Sequence, residues 1–151
     1  APDLPEGGTF LDLGCGWGPI ATVMSLESPG ASVWAVDVNS RALDLTARNA
    51  AANGAAGVRT LKAEEALAAS AETDTRFDVI WSNPPVRIGK DAMHEMLASW
   101  LGRLAPTGVA YLVVQRNLGA DSLIGWLNGR GFQASKFASK KGFRIIEVRP
   151  A

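Results

Sequence analysis

Short apolar runs alternate along this chain with longer segments in which apolar residues recur at three-four spacing. The runs predict strands at residues 9–13, 32–37, 58–61, 77–82 and 108–114, and two more at 132–138 and 143–149. The segments between them predict helices at residues 19–28, 40–54, 64–70, 90–104 and 119–129. Strands that alternate with helices are typical of an α/β fold, a doubly wound, mostly parallel sheet with helices on both faces.

Local signals support several boundaries of these elements. Ser40 is a good helix cap, and Asn53-Gly54 is a good stop for the same helix. The segment Ser139-Lys140-Lys141-Gly142 predicts a hairpin between the last two strands. In the fourth helix the apolar positions predict one buried face: Ala92, Met93, Met96, Leu97, Trp100, Leu101 and Leu104.

A glycine-rich loop follows the first strand. Glycines stand at positions 14, 16 and 18, and Pro19 then occupies a favourable first position for a helix. Glycine lets the backbone turn sharply and approach a ligand closely. The spacing is GxGxG, whereas the dinucleotide fingerprint GxGxxG requires a third glycine at position 19. The loop therefore predicts a ligand site without specifically indicating a pyrophosphate.

An acidic residue ends the second strand. Asp37 lies 19 residues after Gly18, the placement of a carboxylate that binds the two hydroxyls of a ribose. Asp37 and the glycine loop together predict a nucleoside cofactor.

The fourth strand ends at the turn Asn83-Pro84-Pro85-Val86. Each proline fixes φ and removes a backbone donor, so the exposed groups of the turn are mostly acceptors. The Asn83 side-chain oxygen and the Pro84 carbonyl could hold both hydrogens of a planar amino group and aim its lone pair. We therefore predict an enzyme that alkylates a conjugated amine, with catalysis at Asn83, Pro84 and Pro85.

These motifs resemble those of class I S-adenosylmethionine-dependent methyltransferases that carry an NPP motif after the fourth strand. The resemblance runs nearly end to end through LDLGCGWGPI, AVDVN, DVIWSNPPVRIGK, LAPTGVAYLVVQ and KGFRIIEVR. NPPVRIGK and KGFR are most similar to the small-domain group related to ribosomal small subunit methyltransferase C, which modifies a guanine 2-amino group in ribosomal RNA. The resemblance implies a Rossmann-like fold with an antiparallel seventh strand, and S-adenosylmethionine as the cofactor.

The resemblance also implies which residues bind. The expected cofactor-binding residues are Asp12, Gly14, Cys15, Gly16, Gly18, Asp37, Val38, Glu64 and Asn83. Among them, Glu64 would meet the adenine amine or simply be an acid at a helix start, and Asp12 would favour the cationic methionine end or support the loop. Val86, Arg87 and Lys90 are the expected substrate contacts. Many related enzymes have Tyr or Phe where this chain has Val86, so stacking on the target must be weaker or come from elsewhere.

Composition agrees with one compact domain over residues 1–151, without repeats or an evident linker. The first strand begins close to residue 1, and family members usually carry a further upstream segment, so the chain could be a fragment. We see no membrane-spanning run and no secretory signal. One Cys and one His make neither a disulfide framework nor a metal site, and the single thiol fits a reducing cytoplasm.

Charge is divided between the two halves of the chain. Residues 1–76 carry 10 acids and 5 bases, a net of −5, and residues 77–151 carry 5 acids and 10 bases, a net of +5. The basic half contains the NPP turn and favours an RNA partner, which the resemblance implies to be ribosomal RNA. Two alternatives stay open: the same chemistry on a glutamine amide of a translation protein or on adenine in DNA, and a module that only binds.

Overall fold

Seven strands and five helices alternate in the computed structural model, which describes residues 4–84, 88–115 and 119–151. Each predicted element is present, with bounds shifted by a few residues. In chain order they are β1 (Gly7–Leu13), α1 (Pro19–Glu27), β2 (Gly30–Asp37), α2 (Ser40–Ala52), β3 (Val58–Lys62), α3 (Ala63–Glu72), β4 (Phe77–Ser82), α4 (Lys90–Leu101), β5 (Leu104–Gln115), α5 (Ala120–Gly129), β6 (Gln133–Lys140) and β7 (Phe143–Arg149).

The strands form one sheet in the order β3-β2-β1-β4-β5-β7-β6. β1 to β5 pair in parallel, and β7 runs antiparallel to both of its neighbours. This is the predicted mostly parallel, seven-stranded sheet with an antiparallel C-terminal strand. From the middle of the sheet, β1, β2 and β3 follow one another in one direction and β4 and β5 in the other, so the strand order reverses between β1 and β4. Ligands of open α/β sheets bind at the carboxyl ends of the strands at such a switch point.

Helices cover both faces of the sheet. α3, α4 and α5 pack on one face over a core that includes Phe77, Trp100 and Leu112. α1 packs on the other face over Phe10 and Val33. Because β1 and β4 lie in the middle of the sheet, residues 10–13 and 77–82 are mainly apolar, as expected for parallel strands, with Asp12 and Ser82 as buried polar exceptions.

Two boundaries differ from the prediction for local reasons. Asn39, rather than Ser40, caps α2, since its side-chain oxygen accepts hydrogen bonds from the backbone N–H groups of Arg41 and Ala42. α4 ends at Leu101, and Leu104 belongs to β5. The β6–β7 hairpin is confirmed, with Lys141 and Gly142 both at positive φ, 48° and 84°, as a two-residue type I′ turn requires.

The buried face of α4 agrees with its predicted pattern at Met93, Leu97, Trp100 and Leu101, whereas Ala92 is exposed. Within the described ranges, we find no helix with the length and apolar character needed to cross a membrane.

Candidate functional site

The glycine loop, Asp37 and Asn83 meet at the carboxyl edge of the three neighbouring strands β2, β1 and β4. The backbone N–H groups of Gly14 and Cys15 both donate to the Val36 carbonyl, at 2.8 and 3.0 Å. On the other side, a Cβ at Gly14 would lie 3.9 Å from the carbonyl oxygen of Asn83. The loop is therefore fixed to β2 and adjoins the NPP turn.

Asp37 is held by two backbone donors. Its Oδ2 accepts from the Gly16 N–H at 3.0 Å, and its Oδ1 accepts from the Asn39 N–H at 3.0 Å. A carboxylate has about four lone-pair sites, so each oxygen keeps the capacity to accept another hydrogen bond. Asp37 also lines the main cleft of this edge. The carboxylate is thus oriented in advance toward a pair of hydroxyl donors.

The three glycines of the loop have different surroundings. Gly16, at φ +57°, faces open space, since a Cβ there would meet nothing within 4 Å. Gly18, at φ +92°, packs on α2, where a Cβ would lie 2.6–2.9 Å from atoms of Thr46. Gly18 therefore serves the contact between the loop and α2, while Gly16 leaves room for a ligand.

Thr46 is a residue that the sequence analysis missed. It is fully buried on α2, its Oγ1 donates to the Gly16 carbonyl at 2.9 Å, and it lies 3.5 Å from the Cys15 sulfur. It shares one helix stripe with Leu43 and Ala50. A polar residue on an otherwise apolar stripe is the signal that could have identified it.

The Cys15 and Asp12 side chains lie inside the protein rather than in the cleft. Burial raises the pKa of the Cys15 thiol to about 11, so a neutral thiol packs behind the loop. Asp12 accepts a hydrogen bond from the Ala21 N–H at 3.1 Å, which supports the start of α1. Its pKa is raised to about 7, chiefly by burial, with a smaller contribution from the nearby Asp37 carboxylate.

The NPP turn is anchored to β1 by the residue before it. Ser82 is buried, and its hydroxyl donates to the Leu13 carbonyl at 3.1 Å. Asn83 follows as an exposed residue that lines the cleft, and Pro84 is buried. The Asn83 side chain makes no hydrogen bond to any residue in the described ranges, so its amide is available to a ligand. Pro85, Val86 and Arg87 lie outside the described residues.

A cleft of about 550 Å³ opens at this edge, a volume within the usual range for small-molecule sites. Asp37 and Val38 line one end, and Val38 is 81% exposed. The full lining is Leu13, Gly14, Val36, Asp37, Val38, Ala63, Leu67, Ser82, Asn83, Ala92, Glu95, Met96, Ser99 and Trp100. Glu64 is exposed in the first turn of α3 and does not line the cleft, whereas its neighbour Ala63 does.

The arrangement fits an adenosine-type cofactor. The oriented Asp37 carboxylate offers acceptors for ribose hydroxyls, and the apolar side chains of α3 and α4 offer surfaces for a base. The open space at Gly16 admits close approach of a ligand to the backbone. Asn83 lies at the same cleft, where it could meet a substrate amine beside the cofactor.

The basic residues of the second half have unequal exposure. Lys90 is exposed at the start of α4, and Lys141 is exposed in the hairpin, both at the carboxyl edge. Arg144 is instead largely buried, pairs with Asp121, and keeps its Nε buried without a hydrogen bond to the described residues.

His94 stacks on Trp126, with ring centroids 3.8 Å apart, so its ring packs between helices.

The chain was compared with known proteins. A model of the methyltransferase small domain family matches residues 2–147. The uncharacterized protein YbxB of Bacillus subtilis is 33% identical over 95% of this chain and 70% of its own length. A release factor glutamine methyltransferase of Chlorobaculum tepidum is 36% identical over 72% of this chain. A ribosomal RNA small subunit methyltransferase C of Aeromonas hydrophila is 34% identical over 64% of this chain.

The chain spans 40% of the length of the Chlorobaculum protein and 27% of the Aeromonas protein. Among solved structures, a TehB-like SAM-dependent methyltransferase from Corynebacterium glutamicum superposes with a TM-score of 0.75 at 20% identity. The superposition covers 98% of this chain and 83% of that one, and it shows a common fold.

Proposed function

Because the chain belongs to the methyltransferase small domain family, whose cofactor is S-adenosylmethionine, we propose that it methylates an exocyclic amino group of RNA. The guanine 2-amino group of ribosomal RNA is the proposed target. One observation carries the reaction type: Asn83, whose side chain bonds no residue in the described ranges, lines the same cleft as Gly14 and Asp37.

Several residues are proposed to hold the cofactor. Asp37 would accept the two ribose hydroxyls, Val38 would contact the base, and the loop from Gly14 to Gly18 would follow the methionine portion. Cys15 would contribute through its backbone, since its side chain packs against Thr46. Asp12 would act through the loop and α1, since its carboxyl is bonded to Ala21.

The proposed chemistry requires positioning more than acid–base catalysis. The sulfonium of the cofactor supplies an activated methyl group. The Asn83 oxygen and the Pro84 carbonyl, with Pro85 stiffening the turn, would accept the two amine hydrogens and direct the lone pair. Delocalisation of that lone pair into the ring is lost as the nitrogen becomes tetrahedral, so acceptors that favour this geometry stabilise the transition state specifically. The proton can leave to solvent after the transfer.

Two features support RNA as the substrate. Lys90 and Lys141 place exposed positive charge at the carboxyl edge, where phosphates could bind, and Arg87 is proposed to add to them. Phe143 is 39% exposed, and it follows Lys141 and Gly142 at the start of β7. It provides an aromatic surface for base stacking at the edge where Val86 offers none. The similarity to a ribosomal RNA methyltransferase agrees with this choice.

A second candidate substrate is the glutamine amide of a release factor. The 36% identity to a release factor glutamine methyltransferase favours it, and the same pair of acceptors would hold an amide –NH₂. Adenine in DNA presents an equivalent amine, but neither of these two relatives is named for a DNA substrate.

Radiolabelled S-adenosylmethionine with separate pools of ribosomal RNA, release factor protein and DNA tests this proposal. We expect label in RNA, located on a purine exocyclic nitrogen after nuclease digestion. Label in a glutamine of the release factor, with none in RNA, would replace the leading substrate by the second candidate.

A further inference from the structure

The cleft contains a second carboxylate that the family motifs do not assign. Besides Asp37, the acidic residue in its lining is Glu95 on α4. Ala92, Met96 and Ser99 line the cleft from the same helix, so a continuous face of α4 with Glu95 in its middle borders this space. On the basis of the proposed function, we propose that the Glu95 carboxylate accepts a hydrogen bond from the 6-amino group of the cofactor's adenine.

The position of the ribose determines where the base must lie. Asp37 would hold the ribose at the end of β2, and Asn83 and Gly14 would lie at the side where the methyl group is transferred. The base would then extend to the remaining part of the cleft, between α3 and α4. Ala63, Leu67, Met96 and Trp100 line that part and offer apolar surfaces to the faces of a purine ring.

The polar edge of the purine then needs polar partners, and α4 supplies them. Glu95 and Ser99 also line the shallower groove between α4 and α5, so they lie on the ridge of α4 at the rim of the cleft. An ionised carboxylate only accepts hydrogen bonds. It can therefore bind the 6-amino group of adenine, which donates, but not the 6-carbonyl oxygen of hypoxanthine, which is itself an acceptor. The site is thereby expected to distinguish adenine from hypoxanthine.

The Glu95 carboxylate is available for this contact. No ion pair or hydrogen bond joins the carboxylate to another residue in the described ranges; the Ser99 hydroxyl donates at 3.1 Å to the backbone carbonyl of Glu95 instead. Glu64, the acid expected from the resemblance to meet the amine, is exposed like Glu95 but lies outside the cleft lining. Its place in the first turn of α3 suits an interaction with the helix dipole.

Calorimetry with S-adenosylhomocysteine and its inosine analogue, S-inosylhomocysteine, tests the assignment. The wild type should bind the adenosyl compound more tightly. Glu95→Ala should weaken that binding by about tenfold to a hundredfold, the range for a hydrogen bond to a charged group, and should largely remove the preference. Glu95→Gln can donate to a carbonyl, so its preference should shift toward the inosyl compound.

Two further variants provide matched controls. Glu64→Gln removes an equivalent charge outside the cleft and should leave both affinities unchanged. Asp37→Ala should weaken both compounds by the same factor, because both carry the ribose. Circular dichroism should show equal helix content in all variants.

The outcomes separate this inference from the proposed function. Unchanged affinity and preference in both Glu95 variants would overturn the Glu95 assignment, and loss of the preference in Glu64→Gln would transfer the role to Glu64. If the wild type bound neither compound, the cofactor assignment of the proposed function would fail, and the inference with it.

Discussion

At the scale of single residues, neighbouring carboxylates have different roles because their surroundings differ. Asp37 reaches the cleft, where two backbone donors orient it toward a ligand. Asp12 is 2% exposed, and its carboxyl supports α1 through Ala21. Burial penalises the ionised form of Asp12 and raises its pKa to about 7. Both acids end a strand in the sequence, and their burial and hydrogen-bond partners separate their roles in the structure.

The Asp12 carboxyl should make stability depend on pH. Its folded pKa of about 7 lies above the ordinary value of 3.8, so between these values the folded protein retains a proton that the unfolded chain releases. The free energy of unfolding should therefore fall as pH rises from about 4 to about 7 and level off above that. Each pKa unit corresponds to about 1.4 kcal/mol, so the total is on the order of a few kcal/mol.

Asp12→Asn tests this prediction, since an amide oxygen can still accept from the Ala21 N–H. Urea denaturation across this pH range should show a shallower decline for the variant, and a higher free energy of unfolding than the wild type above neutrality. Parallel pH profiles for the two proteins would show that Asp12 does not titrate in this window.

At the scale of elements, the contact between the glycine loop and α2 holds the cofactor side of the cleft. Thr46 bonds the Gly16 carbonyl, and Gly18 lies against Thr46 too closely for any other side chain. Gly18 is thus needed so that the loop can pack on α2, and Gly16 leaves open space beside the backbone. Glycines of one motif are therefore required for different structural reasons.

Gly18→Ala should destabilise the fold by about 2–4 kcal/mol, because a methyl group would collide with Thr46 and φ is +92°. Gly16→Ala is the matched control: its φ is +57° but nothing lies within 4 Å, so only the backbone cost of about 1 kcal/mol applies. Equal losses in the free energy of unfolding, measured by urea denaturation, would contradict the packing role of Gly18.

At the scale of the whole molecule, the topology gathers residues from distant parts of the chain at one edge. The loops after β1, β2 and β4, the start of α4 and the β6–β7 hairpin all lie at the carboxyl ends of the parallel strands. Lys90 and Lys141, 51 positions apart in the sequence, are therefore exposed at the same edge. This edge is where a substrate would approach Asn83.

RNA binding should depend on that edge. Affinity for RNA falls as salt rises, and the slope of log affinity against log salt should become shallower by about 0.7–0.9 for every phosphate that the protein no longer neutralises. The double variant Lys90→Glu and Lys141→Glu should therefore bind ribosomal RNA more weakly, with a shallower slope in filter binding over a salt series. Arg130 is an exposed base at the C-terminal end of α5, away from the edge that carries Lys90 and Lys141, so Arg130→Glu should leave the slope unaltered. A slope reduced equally by both changes would indicate nonspecific attraction rather than a binding edge.

Local signals in the sequence were sufficient for much of this architecture. Apolar periodicity predicted the strands and helices seen in the described residues, and the family resemblance placed Gly14, Asp37 and Asn83 in one expected set; these three residues line the same cleft. Contacts between distant elements were not predictable in the same way. Thr46 packs on a loop 30 residues earlier, and Glu95 comes to the cleft only because α4 lies beside α3. Such contacts depend on how helices sit on the sheet: a local pattern can mark Thr46 as an unusual polar position, but it does not say which loop the residue contacts.

The role of Asn83 as a holder of the substrate amine is tested most directly by methyl transfer in Asn83→Ala, under single-turnover conditions with labelled S-adenosylmethionine and ribosomal RNA. The variant should react about 10²–10³ times more slowly, as expected for removal of one positioned polar group at the transition state. Its affinity for S-adenosylhomocysteine and its melting temperature should remain close to those of the wild type, because the Asn83 side chain bonds no other described residue. A transfer rate near that of the wild type would contradict the proposed mechanism.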